Sequence, residues 1–269
     1  APIYTAYAQA VPNVPVIDRE KCVHFVTGEC GICRDMCPAG AIDFEQEDEI
    51  VELEVGSVIL APGFDEFDAQ LKPEYGYDRF PNVVTSIEFE RILSASGPFQ
   101  GHVQRPSDGK KPKSIAFIQC VGSRDLSCDK PYCSSVCCTY AIKEALIARE
   151  HEPGIEATIF YNDIRTFGKG FDAYFESAKS SGISFAKSIV SGVREFQQTK
   201  NLLLSYALDS GEVKEEEFDL VILSVGLSSP KQAKELADKL GIQLNPYNFC
   251  QTNGFSPVET SKPGIFVCG

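Results

Sequence analysis

The chain has 269 residues, of which 43% are hydrophobic and 23% charged, the usual balance of a globular protein. Its formal net charge of −13 argues against a nucleic-acid-binding protein, which needs a basic surface. No apolar stretch is long enough for a transmembrane helix, and the first residues lack the pattern of a secretory signal. We therefore expect a cytoplasmic protein that neither binds nucleic acid nor spans a membrane.

The first cysteine set follows a proline-punctuated extended segment, residues 1–20. It reads Cys22-x7-Cys30-x2-Cys33-x3-Cys37-Pro38, and its last three cysteines with the proline match the closing half of a bacterial-ferredoxin motif. An all-cysteine zinc site is the alternative. In two-cluster ferredoxins the fourth cysteine serves the other cluster, and no second half is present here. We expect these four cysteines to be metal ligands, and His24 to be packed or solvated instead.

Two strands and a helix are predicted next. Residues 49–55 alternate in polarity, which indicates a strand with one wet face. Residues 57–63 are apolar and end in a turn, which favours a strand buried on both faces. A helix is predicted over residues 86–95, with Ser86 as its cap.

From Ser114 onward strands and helices alternate, which predicts a doubly wound, Rossmann-like α/β fold. The turn at Ser210-Gly211 indicates a β-meander laid on one face of the sheet. The predicted strands are 115–119, 157–161, 185–190, 202–208, 220–225 and 265–267, and the predicted helices are 134–150, 171–181 and 231–239.

The second cysteine set lies between the strand at 115–119 and the helix that follows it. Its members are Cys120, Cys128, Cys133, Cys137 and Cys138. In a dinucleotide-binding domain this loop carries the glycines that cradle a pyrophosphate at the helix N-terminus, but only Gly122 remains. Thiolates are soft ligands suited to iron–sulfur clusters. We predict a cluster on Cys120, Cys133, Cys137 and Cys138, with Cys128 spare; unligated thiols in a packed loop are the alternative.

The helix that follows this loop also leads to a prediction about the thiols themselves. A helix dipole favours negative charge at the N-terminus, so we expect lowered thiolate pKa values there.

Another glycine motif, residues 168–173, fits the dinucleotide pattern G-x-G-x-x-G/A. It follows the second strand of its unit, and no acidic residue ends a strand about twenty residues further on. We interpret it as a glycine turn before a crossover helix. The acidic run 215–217 is interpreted as a solvated strand edge.

The sequence resembles the A-subunit of heterodisulfide reductase, an FAD and iron–sulfur protein of methanogens and many anaerobic bacteria. The most specific matching segment is Cys-Val-Gly-Ser-Arg-Asp at 120–125. The other matching residues are 10–18, 40–46, 105–109, 132–134, 137–138, 143, 167–170 and 257–261.

The resemblance implies a thioredoxin-reductase-like flavoprotein core, of the FAD and NAD(P) disulfide-reductase type, with an inserted ferredoxin domain. On this basis we predict a partial ferredoxin-like segment at 1–47 and parts of an FAD-type domain at 48–112 and 226–269. An NAD(P)-domain-like module carrying the second cysteine set takes residues 113–225. Residues 61–63 and 224–226 would be the crossing segments between the two nucleotide-type domains.

The family uses its flavin to pass electrons between clusters, and Lys143 matches a family lysine near the flavin. The resemblance therefore implies a catalytic role for Lys143, where a cation could stabilise reduced flavin; a solvent-facing lysine is the alternative. As cofactor-contacting residues we predict Ala61, Pro62, Gly63, Gly122, Lys143 and Gly226.

The family's FAD fingerprint, its first ferredoxin half and its C-terminal ferredoxin have no counterpart in this sequence. We therefore expect a segment of an oxidoreductase subunit that is inactive alone and binds FAD weakly or not at all.

The function predicted is electron transfer between [4Fe-4S] clusters and FAD. The predicted partners are other heterodisulfide-reductase-type subunits and electron-donor proteins, with a homodimer as a further option. The alternatives are an NAD(P)-linked flavoprotein disulfide reductase using residues 168–173, and a zinc-stabilised interaction module.

Overall fold

The computed structural model describes residues 2–7, 9–47, 49–208 and 210–268. The chain forms two compact units, residues 1–56 and 57–269. Ala1, Asp48 and Gly269, which end or begin predicted segments, lie outside the described residues.

The smaller unit contains little regular structure. Its elements are the antiparallel strands β1 (Ile3–Tyr4) and β2 (Val16–Ile17) and the short helices α1 (Val23–Thr27) and α2 (Ile32–Asp35). His24 stacks on the buried Phe44 ring at a centroid distance of 3.8 Å, and its Nδ1 lies 2.6 Å from the Cys30 carbonyl oxygen. His24 is thus packed, as predicted.

The strand predicted over 49–55 is not formed, and this prediction is wrong. Residues 49–55 have no strand partner in the described structure, and Ile50 is 93% exposed. Alternating polarity stabilises a strand only where a neighbouring strand and a core receive its apolar face.

The centre of the larger unit is a five-stranded parallel sheet. Its strands are β5 (Val83–Thr85), β6 (Ser114–Val121), β7 (Glu156–Tyr161), β8 (Ser184–Lys187) and β12 (Leu220–Val225). They lie in the order β5-β12-β6-β7-β8. Every residue of β12 is buried, as expected of a strand covered on both faces. The predicted Rossmann-like fold class is confirmed.

Helices cover one face of this sheet. They are α3 (Ser86–Leu93), α4 (Cys137–His151) and α5 (Phe171–Ser180). Side chains such as Phe117, Ile159 and Ile222 pack beneath them because alternate residues of a strand point to the same face.

The predicted meander covers the opposite face. It consists of the antiparallel strands β9 (Ile189–Glu195), β10 (Leu202–Ala207) and β11 (Val213–Phe218). Leu202 and Leu204 on β10 pack against Val221 and Leu223 of the sheet. Residues 215–217 lie exposed on β11, an edge strand, as predicted.

Two helix starts differ from the predictions. Helix α3 is capped by Thr85, not Ser86, because the Thr85 hydroxyl accepts from the Glu88 N–H while the Glu88 carboxylate accepts from the Thr85 N–H. Helix α4 begins at Cys137, three residues later than predicted, because Ser135 has a left-handed φ of 65°.

The remaining elements are small. They are β3 (Val58–Leu60) paired in parallel with β14 (Ile265–Val267), β4 (Asp65–Glu66) paired with β13 (Leu227–Ser228), helix α6 (Ala233–Leu240), and the 3-10 turns Ala69–Leu71, Pro73–Tyr75 and Leu126–Cys128. The expectation that the strand at 57–63 is buried on both faces is wrong, since Ile59 is 70% exposed in this two-stranded sheet. None of the described helices has the length and apolar character needed to cross a membrane.

Candidate metal centre

The second cysteine set begins at the carboxyl end of β6, the central strand of the parallel sheet. The chain then forms a loop over residues 122–136 and enters α4 at Cys137. Ligands of open parallel sheets bind outside the carboxyl ends of the strands. The loop therefore lies where a nucleotide phosphate binds in related folds, as predicted from the sequence.

The backbone of this loop is held in uncommon conformations. Cys120, Arg124 and Ser135 have left-handed φ values of 63°, 59° and 65°, although none is a glycine. Each such residue costs about 1–2 kcal/mol, and such residues cluster at functional sites. Ser123 fixes the loop, since its hydroxyl oxygen accepts from the Ser134 N–H at 3.0 Å.

Four thiols of the set converge on one small cavity. Cys120, Cys133, Cys137 and Cys138 line it, and Cys137 and Cys138 are the first two residues of α4. The first N–H groups of a helix have no intrahelical partner, which favours negative charge at this point.

Cys128 is separate from this group. Its thiol lies 3.7 Å from the Asp125 carboxylate and packs against the core beneath the meander. The structure thus brings together the four cysteines predicted as ligands and leaves the fifth aside.

The thiols lie closely packed around their cavity, whose volume is about 10 Å³, the space of one water molecule. Among the described residues, no three His, Cys, Asp or Glu side chains are arranged to hold a single metal ion. The donor set suits a soft metal or cluster, but binding a cluster requires the loop to open around it. The four thiols suit a cluster because of their donor chemistry and because of the charged side chains beside them.

The expected lowering of the thiolate pKa values is wrong for Cys120, Cys137 and Cys138. Burial, with a smaller contribution from the neighbouring thiols, raises the pKa of Cys137 to about 12. Burial also raises the pKa values of Cys120 and Cys138. Desolvation of the charged form outweighs the helix dipole here, so metal binding must displace protons.

Two arginines and one aspartate complete the wall of this cavity. Arg124 and Arg165 both pair with Asp163, Arg165 through its Nε at 3.0 Å from Oδ2. The Arg165 backbone N–H donates to the Cys138 sulfur at 3.4 Å.

Sequence reasoning did not assign a role to this arginine–aspartate group. Arg124 follows β6 and Asp163 follows β7, and these strands are parallel neighbours. The predicted order of strands could have indicated the contact, because the loops after neighbouring parallel strands meet at one edge of the sheet.

Gly122 and Gly226, predicted to contact a cofactor, lie close to each other in the region of the thiols. A Cβ on Gly226 would lie 2.6 Å from the Gly122 carbonyl oxygen, and one on Gly122 would enter the Phe67 ring. Gly226 also donates its N–H to the Val121 carbonyl at 2.7 Å. The two glycines permit a close backbone approach that a side chain would prevent.

Lys143 lies on α4, six residues after Cys137, a rise of about 9 Å. Its Nζ donates to Glu90 at 2.9 Å. Lys143 also lines a cavity of about 420 Å³ with Tyr140, Phe171 and other residues, and Ser135 lines both this cavity and the four-cysteine cavity. The lysine predicted to act on a cofactor therefore faces an open space beside the thiols.

Pro62 and Gly63, the other predicted cofactor contacts, line a cavity of about 330 Å³ with Cys250 and Cys268. Ala61 precedes them and is exposed. All eleven cysteines of the chain are free thiols.

The first cysteine set lies in the smaller unit. Cys22 is buried and Cys30, Cys33 and Cys37 are partly exposed. The Cys37 sulfur accepts from the Ala41 N–H at 3.4 Å, and backbone hydrogen bonds around it lower the Cys37 pKa. Its role as a ligand set stays a prediction.

The chain is similar in sequence to several known proteins. No family model matches the chain. The iron-sulfur A-subunit of CoB–CoM heterodisulfide reductase from Methanocaldococcus jannaschii is 44% identical over 99% of the chain, and A-subunit 2 of this reductase from Methanopyrus kandleri is 48% identical over 99%. The A-subunit of the H2:CoB-CoM heterodisulfide,ferredoxin reductase from Methanothermobacter marburgensis is 40% identical over 99% of the chain. The chain spans 40% of the length of each of these relatives.

Among solved structures, a thioredoxin reductase from Lactococcus lactis matches at 17% identity and a TM-score of 0.46, covering 100% of this chain and 76% of that one. A thioredoxin reductase from Gloeobacter violaceus matches at 9% identity and a TM-score of 0.38, covering 79% of this chain and 53% of that one. The sequence relatives, which align along nearly the whole chain and include the cysteine loop, establish that this chain belongs to the A-subunit family of heterodisulfide reductase.

Proposed function

We propose that residues 57–269 hold an iron–sulfur cluster on Cys120, Cys133, Cys137 and Cys138 and exchange electrons between this cluster and a flavin. The observation that carries the proposal is the convergence of these four thiols on one cavity at the carboxyl end of the central parallel strand. A nucleotide phosphate would need glycines and free N–H groups in this loop. Thiols take their place, which favours one-electron chemistry over nicotinamide binding.

A flavin is the second part of the proposal. When bound, it supplies two-electron and one-electron chemistry at one site. The cavity of about 420 Å³ beside the thiols is lined largely by aromatic and aliphatic side chains, with Lys143 at its wall. Cofactor pockets are of this kind, apolar with a few placed polar groups. Lys143 would supply positive charge toward reduced flavin, and Ala61, Pro62, Gly63, Gly122 and Gly226 would line the approach of FAD.

We further propose that Cys22, Cys30, Cys33 and Cys37 bind a second cluster. The backbone N–H donors around Cys37 support this, since such donors stabilise ligating sulfurs. The iron-sulfur name of the relatives supports both cluster proposals.

The whole protein would act in the cytoplasm within a heterodisulfide-reductase-type assembly, with other subunits and electron-donor proteins as its partners. The names of the relatives support subunit partners, and eleven free thiols suit a reducing compartment.

Metal analysis of single-cysteine variants tests the proposal. After anaerobic reconstitution with iron and sulfide, we expect Cys133→Ser to bind about four fewer iron atoms per chain than wild type, the content of one [4Fe-4S] cluster. Cys128→Ser is the matched control, because it removes a thiol of the same loop that lies outside the cavity. Its iron content should equal that of wild type.

Three outcomes would overturn the proposal. They are a wild-type protein that takes up neither iron nor sulfide, an equal loss of iron in Cys128→Ser, and stoichiometric zinc in place of iron after anaerobic preparation. Binding of NADH or NADPH that is lost on substituting Gly168 and Gly170 would instead favour the NAD(P)-linked reductase.

A further inference from the structure

The four-cysteine cavity carries two positive charges held in place by one carboxylate. Arg124 comes from the loop after β6, and Asp163 and Arg165 come from the loop after β7. Because one Asp163 oxygen pairs with each arginine, both guanidinium groups have a fixed position at the wall of the cavity.

Arg124 and Arg165 line the same small cavity as Cys120 and Cys133. The segment 163–165 also wraps Cys138, which receives the Arg165 N–H and lies 4.0 Å from the Asp163 carbonyl oxygen. Cys138 thus has direct contacts with the arginine–aspartate group, and the other three thiols line the same cavity as this group.

The positive charge is local. The chain as a whole has a net charge of −13. The nearby Asp125 lies outside the lining of the cavity and pairs with Lys72 at 2.9 Å, which also pairs with Glu74 at 3.0 Å. Two arginines against one aspartate leave a net positive charge beside four thiols, which become anionic when they bind iron. The side chains of Arg124 and Arg165 are only 25% and 37% exposed, so solvent screens them incompletely.

We infer that Asp163 holds Arg124 and Arg165 as a pair of fixed cations that raise the reduction potential of the cluster on Cys120, Cys133, Cys137 and Cys138. This inference rests on the proposed function. Reduction brings one electron from the donor and adds one negative charge to the site, with no bond made or broken. Nearby cations stabilise the reduced form more than the oxidised form, and cluster potentials respond to net charge and to hydrogen bonds on sulfur.

The test is an anaerobic redox titration with dithionite, followed by electron paramagnetic resonance of the reconstituted protein. We expect Arg124→Gln and Arg165→Gln each to lower the reduction equilibrium constant at least tenfold, which is 59 mV for a one-electron couple. Arg194→Gln is the matched control, because it makes the same charge change at an exposed pair with Glu215 on the meander. The reduction potential of Arg194→Gln should differ from that of wild type by less than about a third of this shift.

The lysine variants separate charge from geometry. Arg124→Lys keeps the cation but loses the forked donor, so we expect it to keep most of the wild-type potential. If a glutamine variant fails to load with iron, the corresponding lysine variant is titrated instead, and a tenfold or larger shift in it overturns the inference.

The two proposals fail differently. A wild-type protein without iron and sulfide removes the proposed function itself. A wild-type protein that loads normally, with glutamine variants whose potentials coincide with that of Arg194→Gln, leaves the cluster in place and removes the role of the arginine pair.

Discussion

At the scale of single residues, Glu144 is a carboxyl group buried in the core. It lies on α4, is 1% exposed, and one of its carboxylate oxygens has no hydrogen-bond partner. Burial, with the nearby Glu90 charge, raises its pKa from 4.5 to about 9. Glu144 is therefore protonated in the folded protein at neutral pH.

This protonation predicts a pH dependence of stability. Between about pH 4.5 and 9 the folded state binds a proton that the unfolded state has lost, so the free energy of unfolding falls as the pH rises through this range. Glu144→Gln should remove this dependence, because a glutamine is neutral throughout. Urea unfolding at several pH values measures it, with the exposed Glu150→Gln on the same helix as control. An unchanged slope in Glu144→Gln would contradict the assignment.

Gly226 gives a second prediction at this scale. The Cβ of Gly226→Ala would meet the backbone oxygen of Gly122 at 2.6 Å, so the cysteine loop must shift. We expect a loss of about 1–3 kcal/mol in the free energy of unfolding, the range of overpacked sites. Gly154→Ala is the control, since its Cβ would meet no atom within 4 Å. Equal urea midpoints for the two variants would disprove the close approach.

At the scale of elements, Arg105 joins three segments of the larger unit. Its buried guanidinium donates to the Asn201 side chain at 2.7 Å and to the Thr199 carbonyl at 2.6 Å, and it pairs with Asp219 at 3.4 Å. Asn201 and Thr199 lie between β9 and β10, while Asp219 immediately precedes β12. Arg105 therefore ties the meander to the parallel sheet.

Arg105→Met should be strongly destabilising, by about 3–5 kcal/mol, because it leaves partly buried acceptors and a carboxylate unpaired. The comparison is Arg194→Met, which removes an exposed ion pair and should cost less than about 1 kcal/mol. Thermal and urea unfolding measure both. A similar cost for the two substitutions would show that Arg105 does not link these elements.

The elements also show what the sequence could predict. Strands β6, β7 and β12 were recognisable because they are rich in apolar residues, and the four predicted cysteine ligands meet because their loop follows the central strand. Strand β5 was not predicted, since three residues are too few to show a pattern, and β8 and β9 were predicted as one strand over 185–190. The region 49–55 misled because polarity alternates there without a partner strand.

The arginine–aspartate group could not be read from local spacing. Arg124 and Asp163 are 39 residues apart and meet only because β6 and β7 are parallel neighbours. Nor could composition reveal that burial would outweigh the helix dipole at Cys137, since burial depends on the packing of the whole loop.

At the scale of the whole molecule, the two compact units meet in sequence at residue 56. Residues 49–57 have no helix or strand and are exposed. Segments of this kind are the preferred sites of proteolysis. We expect limited digestion with a glutamate-specific protease to cut first at Glu49, Glu52 or Glu54 and to leave a stable product beginning near residue 57.

Mass spectrometry of the early products measures this. Exposed glutamates within helices, such as Glu176 on α5, act as internal controls because a helix resists the extended conformation that a protease needs. First cleavage within α5, or simultaneous cleavage at many sites of residues 57–269, would contradict the division into units.

Helix α4 begins with two of the proposed ligands and carries Lys143 two turns later. The number of residues between these ligands and Lys143 therefore limits the insertions and deletions that the site tolerates. A residue inserted or deleted between Cys138 and Lys143 would turn the lysine by about 100° around the helix, away from its cavity. A change of length near Cys128 would alter only the loop. Among homologous sequences we expect the length of the loop before Cys133 to vary. The spacing of five residues from Cys138 to Lys143 should be constant.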